Sequence, residues 1–64
     1  MKLMDSATGK VIASMVADPN TSVEDAIMLN NLEECIIDPS TMEKGWRDED
    51  GDEHWTEDLV LVDD

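Results

Sequence analysis

The chain has 64 residues, of which 17 are acidic and four basic, giving a net charge of −13 with its one histidine neutral. A chain this short makes one domain that buries only about 60% of its unfolded surface, which leaves little room to enclose a substrate. A field this negative repels nucleic acid and anionic membranes and attracts basic protein surfaces.

The apolar fraction, 41%, is that of a globular chain, but there is no Phe or Tyr and there are five Met. The core must therefore come from Val, Ile, Leu, Met and two Trp, a set that fills space adaptably. The single cysteine, Cys35, excludes an internal disulfide and a cysteine-based zinc site, and reads as a small buried apolar residue in a reducing cytoplasm. Met1 to Val16 lacks the uninterrupted apolar core of a secretory signal, and no run approaches a membrane span. Charge is unevenly placed: the first 32 residues carry Asp5, Asp18, Glu24 and Asp25 against Lys2 and Lys10, and the rest carry thirteen acids against Lys44 and Arg47.

In chain order, Lys2-Leu3-Met4 and Val11 to Val16 are short apolar runs around Asp5-Ser6-Ala7-Thr8-Gly9-Lys10, which predicts a hairpin with Gly9 in the left-handed region. Thr8-Gly9-Lys10 lacks the upstream Gly and the following helix that a phosphate loop needs. Asp18-Pro19-Asn20 ends the second strand. Thr21-Ser22-Val23-Glu24 has the spacing of a capping box and predicts a helix from Ser22, with Val23, Ala26 and Ile27 as its apolar stripe and Met28, Leu29 and Leu32 widening it. Asn30-Asn31 is its expected stop.

Leu32 to Ile37 fits either a helix extension or a third strand. The strand is favoured because Cys35-Ile36-Ile37 is β-prone and Asp38-Pro39 terminates it. Pro39 to Gly45 reads as a connection. In Gly45 to Val62 a two-residue turn at Asp50-Gly51 would set Trp46 against Trp55, Arg47 against His54 and Asp48 against Glu53. After a bend at Thr56-Glu57-Asp58, Leu59-Val60-Leu61-Val62 reads as a strand buried on both faces, or on one face with a subunit contact on the other, and Asp63-Asp64 as a solubilising end. The expected fold is α+β: one small antiparallel sheet of two hairpins plus a terminal strand, with one short helix packed on one face.

Few chemical constellations survive inspection. With Gly51 at position six of a calcium-binding EF-hand loop, Asp48, Asp50 and Glu57 fall at ligand positions but Trp46 falls at the first, where an Asp is required. His54, the only histidine, is expected on the surface opposite Arg47. No nucleophile-and-base spacing and no glycine-rich cofactor loop are present, so neither a catalytic residue, a cofactor nor a specific metal site is assigned.

The expected function is non-enzymatic: a cytoplasmic acidic interaction module that binds a basic protein surface, with nucleic-acid charge mimicry and a phage or mobile-element inhibitor as its sharper version. Asp48, Glu49, Asp50, Asp52 and Glu53 would supply charge, and Trp46 and Trp55 the anchor. The alternatives are a structural homo-oligomer, such as a homodimer completed through the Leu59–Val62 strand, and a weak divalent-cation module.

Overall fold

The computed structural model describes residues 1–16 and 18–63, so the acidic end is seen only as far as Asp63 and Asp64 lies outside the described residues. Among these residues the order is β1 (Lys2–Asp5), β2 (Val11–Ser14), α1 (Val23–Leu29), β3 (Glu33–Asp38), β4 (Glu43–Arg47), β5 (Glu53–His54), a 3₁₀ turn (Thr56–Asp58) and β6 (Leu59–Val62). The α+β class expected from the sequence is the one found. The strands are divided, however, between two antiparallel sheets ordered β2-β1-β6 and β3-β4-β5.

The division originates at the 3₁₀ turn, where the bend was expected. There the Asp58 carbonyl accepts from Ser6 N at 2.8 Å and Ser6 Oγ at 2.9 Å, which ties the turn to the first hairpin. The chain is thereby steered out of the second sheet. β6 then pairs along the whole of β1, from Lys2 opposite Val62 to Asp5 opposite Leu59. Leu59 is buried and the rest of β6 half-buried, so this apolar run has one strand neighbour and one apolar contact face.

The first hairpin closes as its sequence predicts. Gly9 adopts φ +79°, its amide donates to the Asp5 carbonyl at 2.8 Å, and Asp5 N donates to the Lys10 carbonyl at 2.9 Å. The strand reading of 32–37 also holds, as β3, which pairs with β4. Of residues 39–45, expected as a connection, 39–42 form the turn of a hairpin and Glu43, Lys44 and Gly45 already belong to β4. Asp38 Oδ1 accepts from Ser40 N at 3.0 Å and Ser40 Oγ at 2.6 Å, and Met42 takes the left-handed conformation at φ +62° in a turn without glycine.

The helix cap sits one residue later than the sequence spacing indicated. Ser22 is the N-cap, with Ser22 Oγ accepting from Asp25 N at 3.1 Å and the Asp25 carboxylate receiving Ser22 N. Thr21 is drawn back into the preceding turn, its amide donating to the Asp18 carbonyl at 3.1 Å. At the other end Asn30 caps and Asn31 adopts φ +56°, as expected for asparagine. The helix buries Ala26 and Ile27 against Leu3 and Leu59, and Ile12, Met15, Val23, Leu32, Trp46 and Leu61 pack around that nucleus.

Candidate functional site

The loop between β4 and β5 runs from Asp48 to Asp52. Gly51 N donates to the Asp48 carbonyl at 3.0 Å and Asp48 N to the Asp52 carbonyl at 2.9 Å. Gly51 has φ +86°, whereas Asp50 is not among the residues of positive φ. A two-residue turn centred on Asp50-Gly51 needs positive φ at both positions, and this loop achieves closure with one. Asp48 makes that closure favourable, since its Oδ1 accepts from Asp50 N at 2.9 Å and Asp52 N at 3.1 Å.

The register therefore moves by one residue. Trp46 pairs with His54 and Arg47 with Glu53, so neither the Trp46–Trp55 pair nor the Asp48–Glu53 opposition forms, and His54 does not face Arg47. Because side chains alternate between faces, the shift sends His54 to the inner face with Trp46.

His54 is only 3% exposed there, between two carboxylates that are themselves 3% (Asp5) and 8% (Asp48) exposed. Its Nδ1 lies 2.5 Å from Asp5 Oδ2 and its Nε2 2.6 Å from Asp48 Oδ2. A neutral imidazole has one donor and one acceptor nitrogen, while an ionised carboxylate only accepts, so the geometry is that of an imidazolium donating on both sides. Burial alone lowers the His54 pKa, but the bonds to Asp48 and Asp5 outweigh it and raise it above the ordinary value. Burial likewise opposes the charge on both aspartates. The Lys10 and His54 bonds hold Asp48 well below the ordinary carboxylate range, and those from His54 and the Ala7 amide hold Asp5 below it.

Lys10, from the end of the first hairpin loop, completes the arrangement. Its Nζ lies 2.7 Å from Asp48 Oδ2, 2.7 Å from Asp52 Oδ2 and 3.1 Å from Asp50 Oδ2, and these bonds raise its pKa. The two hairpin loops are built alike, each opening on a buried aspartate that caps its own loop amides and turns its second oxygen to His54. No buried side-chain polar atom among the described residues lacks a partner.

This arrangement is suited to holding two loops together. Both imidazolium N–H groups are committed, so neither nitrogen has a lone pair with which to accept a proton. The carboxylates that invite a divalent-cation reading converge on the Lys10 ammonium. Among the described residues no group of three or more His, Cys, Asp or Glu is arranged to hold a metal ion.

Of the residues expected to bind a partner, Asp48 is buried, while Asp50 and Asp52 are exposed but joined to Lys10. Glu53 is exposed and bonded to Arg47 at 3.3 Å, and Glu49 is exposed with no ion pair among the described residues. Trp46 is half-buried against the apolar core with Nε1 donating to Thr56 Oγ1 at 2.9 Å, and Trp55 is half-buried just beyond β5. The structure thus brings the aspartates together and keeps the indoles from pairing across the strands. The buried Asp5 and His54 and the half-buried Lys10 were missed. Their signal is the shared pattern of an Asp opening each loop and a Gly late in it.

Comparison of the chain with known protein families, with curated proteins and with solved structures finds no match. No helix among the described residues is long and apolar enough to cross a membrane.

Proposed function

We propose that this protein is a non-enzymatic acidic interaction module, acting in a reducing cytoplasm, that binds a basic surface of another protein. The observation that carries the reading is the state of its few cations. Lys10, Lys44 and Arg47 each already face carboxylates of the same chain, and the formal net charge of −13, set with the histidine neutral, is what remains after all four Lys and Arg are counted. Such a surplus steers a basic partner and is weakened by salt. The charge available to a partner resides in acids outside the buried cluster, among them Glu43, Glu49 and Glu57, which have no ion pair among the described residues.

A basic partner surface of this kind would be open to competition from polyanions, and the nucleic-acid mimic is the version in which that surface ordinarily holds nucleic acid. The test is affinity capture from lysate with salt-step elution, comparing the natural chain with a Glu43→Gln/Glu49→Gln/Glu57→Gln variant, which leaves the buried network intact. A partner released at moderate salt and absent from the variant supports the proposal. The same partners on both overturn it.

Self-assembly is a second reading, favoured by β6, an apolar strand at the edge of its sheet. A dimer that persists across salt concentrations in light scattering would support it, and a monomer at all of them would remove it.

A further inference from the structure

Two hollows lie side by side where α1, β4 and the 3₁₀ turn meet. One, of about 260 Å³, is lined by Glu24, Ile27, Met28, Trp46 and Thr56 and has almost wholly apolar walls. Met28 is 76% exposed on its rim, although the neighbouring Ile27 is in the core. The other, of about 360 Å³, is lined by Glu43, Lys44, Trp55, Thr56 and Glu57. Thr56 is common to both, and its hydroxyl accepts the Trp46 indole hydrogen, so the apolar hollow has no indole donor left to satisfy.

The two hollows suit different side chains. The first offers an indole, an isoleucine and an adaptable methionine to a large aliphatic group. The second offers an indole beside two glutamates that have no ion pair among the described residues, a setting for a guanidinium that stacks on the ring and bonds a carboxylate. Lys44, which lines the same hollow, is engaged by Glu34 at 3.4 Å.

The geometry points to a bipartite docking site for a basic partner segment in which a large aliphatic residue lies close to an arginine. The aliphatic side chain enters the Trp46 hollow, and the guanidinium rests by Trp55 between Glu43 and Glu57. Charge decides the occupant: a surface of this sign favours a basic segment over a second copy of the chain, which would bring its own Glu24, Glu43 and Glu57. The inference rests on the interaction-module reading and names the site through which it would act.

The test is an NMR titration of the isotopically labelled full chain with two synthetic peptides of equal length and charge, rich in Lys and Arg, one carrying leucines beside its arginines and the other serines in their place. With the leucine peptide, the indole N–H signals of Trp46 and Trp55 and the amides of Ile27 and Met28 shift, and binding is about tenfold tighter than with the serine peptide. Met28→Glu, a change at an exposed position, abolishes that preference while its spectrum stays dispersed. Glu43→Gln/Glu57→Gln weakens both peptides and quiets the Trp55 signal. Equal affinity for the two peptides, with no shifts at these residues, overturns the bipartite site and leaves the charge-driven module standing. Failure of both peptides to bind at low salt overturns the bipartite site and the charge-driven module together.

Discussion

The molecule has two interiors of different kinds, and β1 feeds both. Leu3 enters the apolar nucleus with Ala26, Ile27 and Leu59, while Asp5, two residues on, enters the charged nucleus with His54 and Asp48. The apolar one holds the helix on the first sheet by a force that has no direction and tolerates repacking. The charged one joins the hairpin of the first sheet to the loop of the second through bonds that fix atoms within tenths of an ångström. A small domain with little apolar surface to bury has here placed part of its inter-sheet contact on ions, beside the packing of Trp46 on the apolar nucleus, and ions hold geometry well and fail abruptly when one member is lost.

That contrast is open to direct attack. The largest effect is expected from Asp48→Ala, which removes the loop cap and leaves the His54 charge half-partnered: a loss of about 3–5 kcal/mol, out of a total of roughly 3–10 kcal/mol for a domain of this size. Leu3→Ala in the apolar nucleus should cost about 2–5 kcal/mol. Urea unfolding of the two variants measures both. A small loss for Asp48→Ala would mean that the charged nucleus contributes little.

Asp48→Asn is milder, at about 1.5–3 kcal/mol for a charged hydrogen bond replaced by a neutral one. Its Oδ1 still accepts from the loop amides, and its amide can donate to a neutral His54. The natural chain and this variant should separate most clearly in their dependence on pH. Asp5 and Asp48 have native pKa values below the ordinary 3.8, so their contribution is whole above that pH and is lost as pH falls through the native values. His54 has a native value above the ordinary 6.5, so its contribution is whole below 6.5 and is lost as pH rises through the native value. The charged nucleus is therefore at full strength between about pH 4 and 6.5. Denaturation at a series of pH values should show the natural chain weakening on the alkaline side and Asp48→Asn nearly flat there. Nitrogen NMR of the natural chain at pH 6 should find both ring nitrogens of His54 protonated.

Gly45→Ala probes the charged nucleus from behind. A β-carbon at Gly45 would meet Ile37 Cδ1 and the His54 carbonyl, pushing β5 away from β4. A cost of about 1–3 kcal/mol is expected, with the His54 ring signals displaced and those of Leu3 and Ala26 unchanged. The smallest effect belongs to Arg47→Ala, which removes an exposed pair with Glu53 and should change stability by less than about 1 kcal/mol in the same unfolding assay.

How much of this could be read in the chain divides along the same line. The apolar elements were legible because local signals specify them: Gly9 in its turn, the asparagines that stop the helix, and the β-prone Cys35-Ile36-Ile37. The charged nucleus was not, because it is specified by partners far apart in sequence. His54 and Asp5 are 49 residues apart, and Lys10 and Asp48 are 38. One step of register was enough to misplace the histidine, and that step depended on Asp48 capping its own loop, which made a glycine-only left-handed turn preferable to the two-residue turn that Asp50-Gly51 favours in isolation. The hairpin at 39–42 escaped notice for a related reason, since Met42 does there what a glycine usually does.

The pairing of β1 with β6 also governs when the fold can close. Of the six strands among the described residues, β1 leaves the ribosome first and β6 last, an interval on the order of seconds at ordinary rates of synthesis. Until β6 arrives, Leu3 has no Leu59 to pack on and β1 lacks its second neighbour. The three hairpins are local and can form early, whereas sheet closure must await the β1–β6 pairing, which joins Lys2 to Val62. Between the emergence of β1 and that of β6 the nascent protein has an open apolar edge, and the negative charge of the residues made just before β6 is well placed to keep such unfinished chains apart.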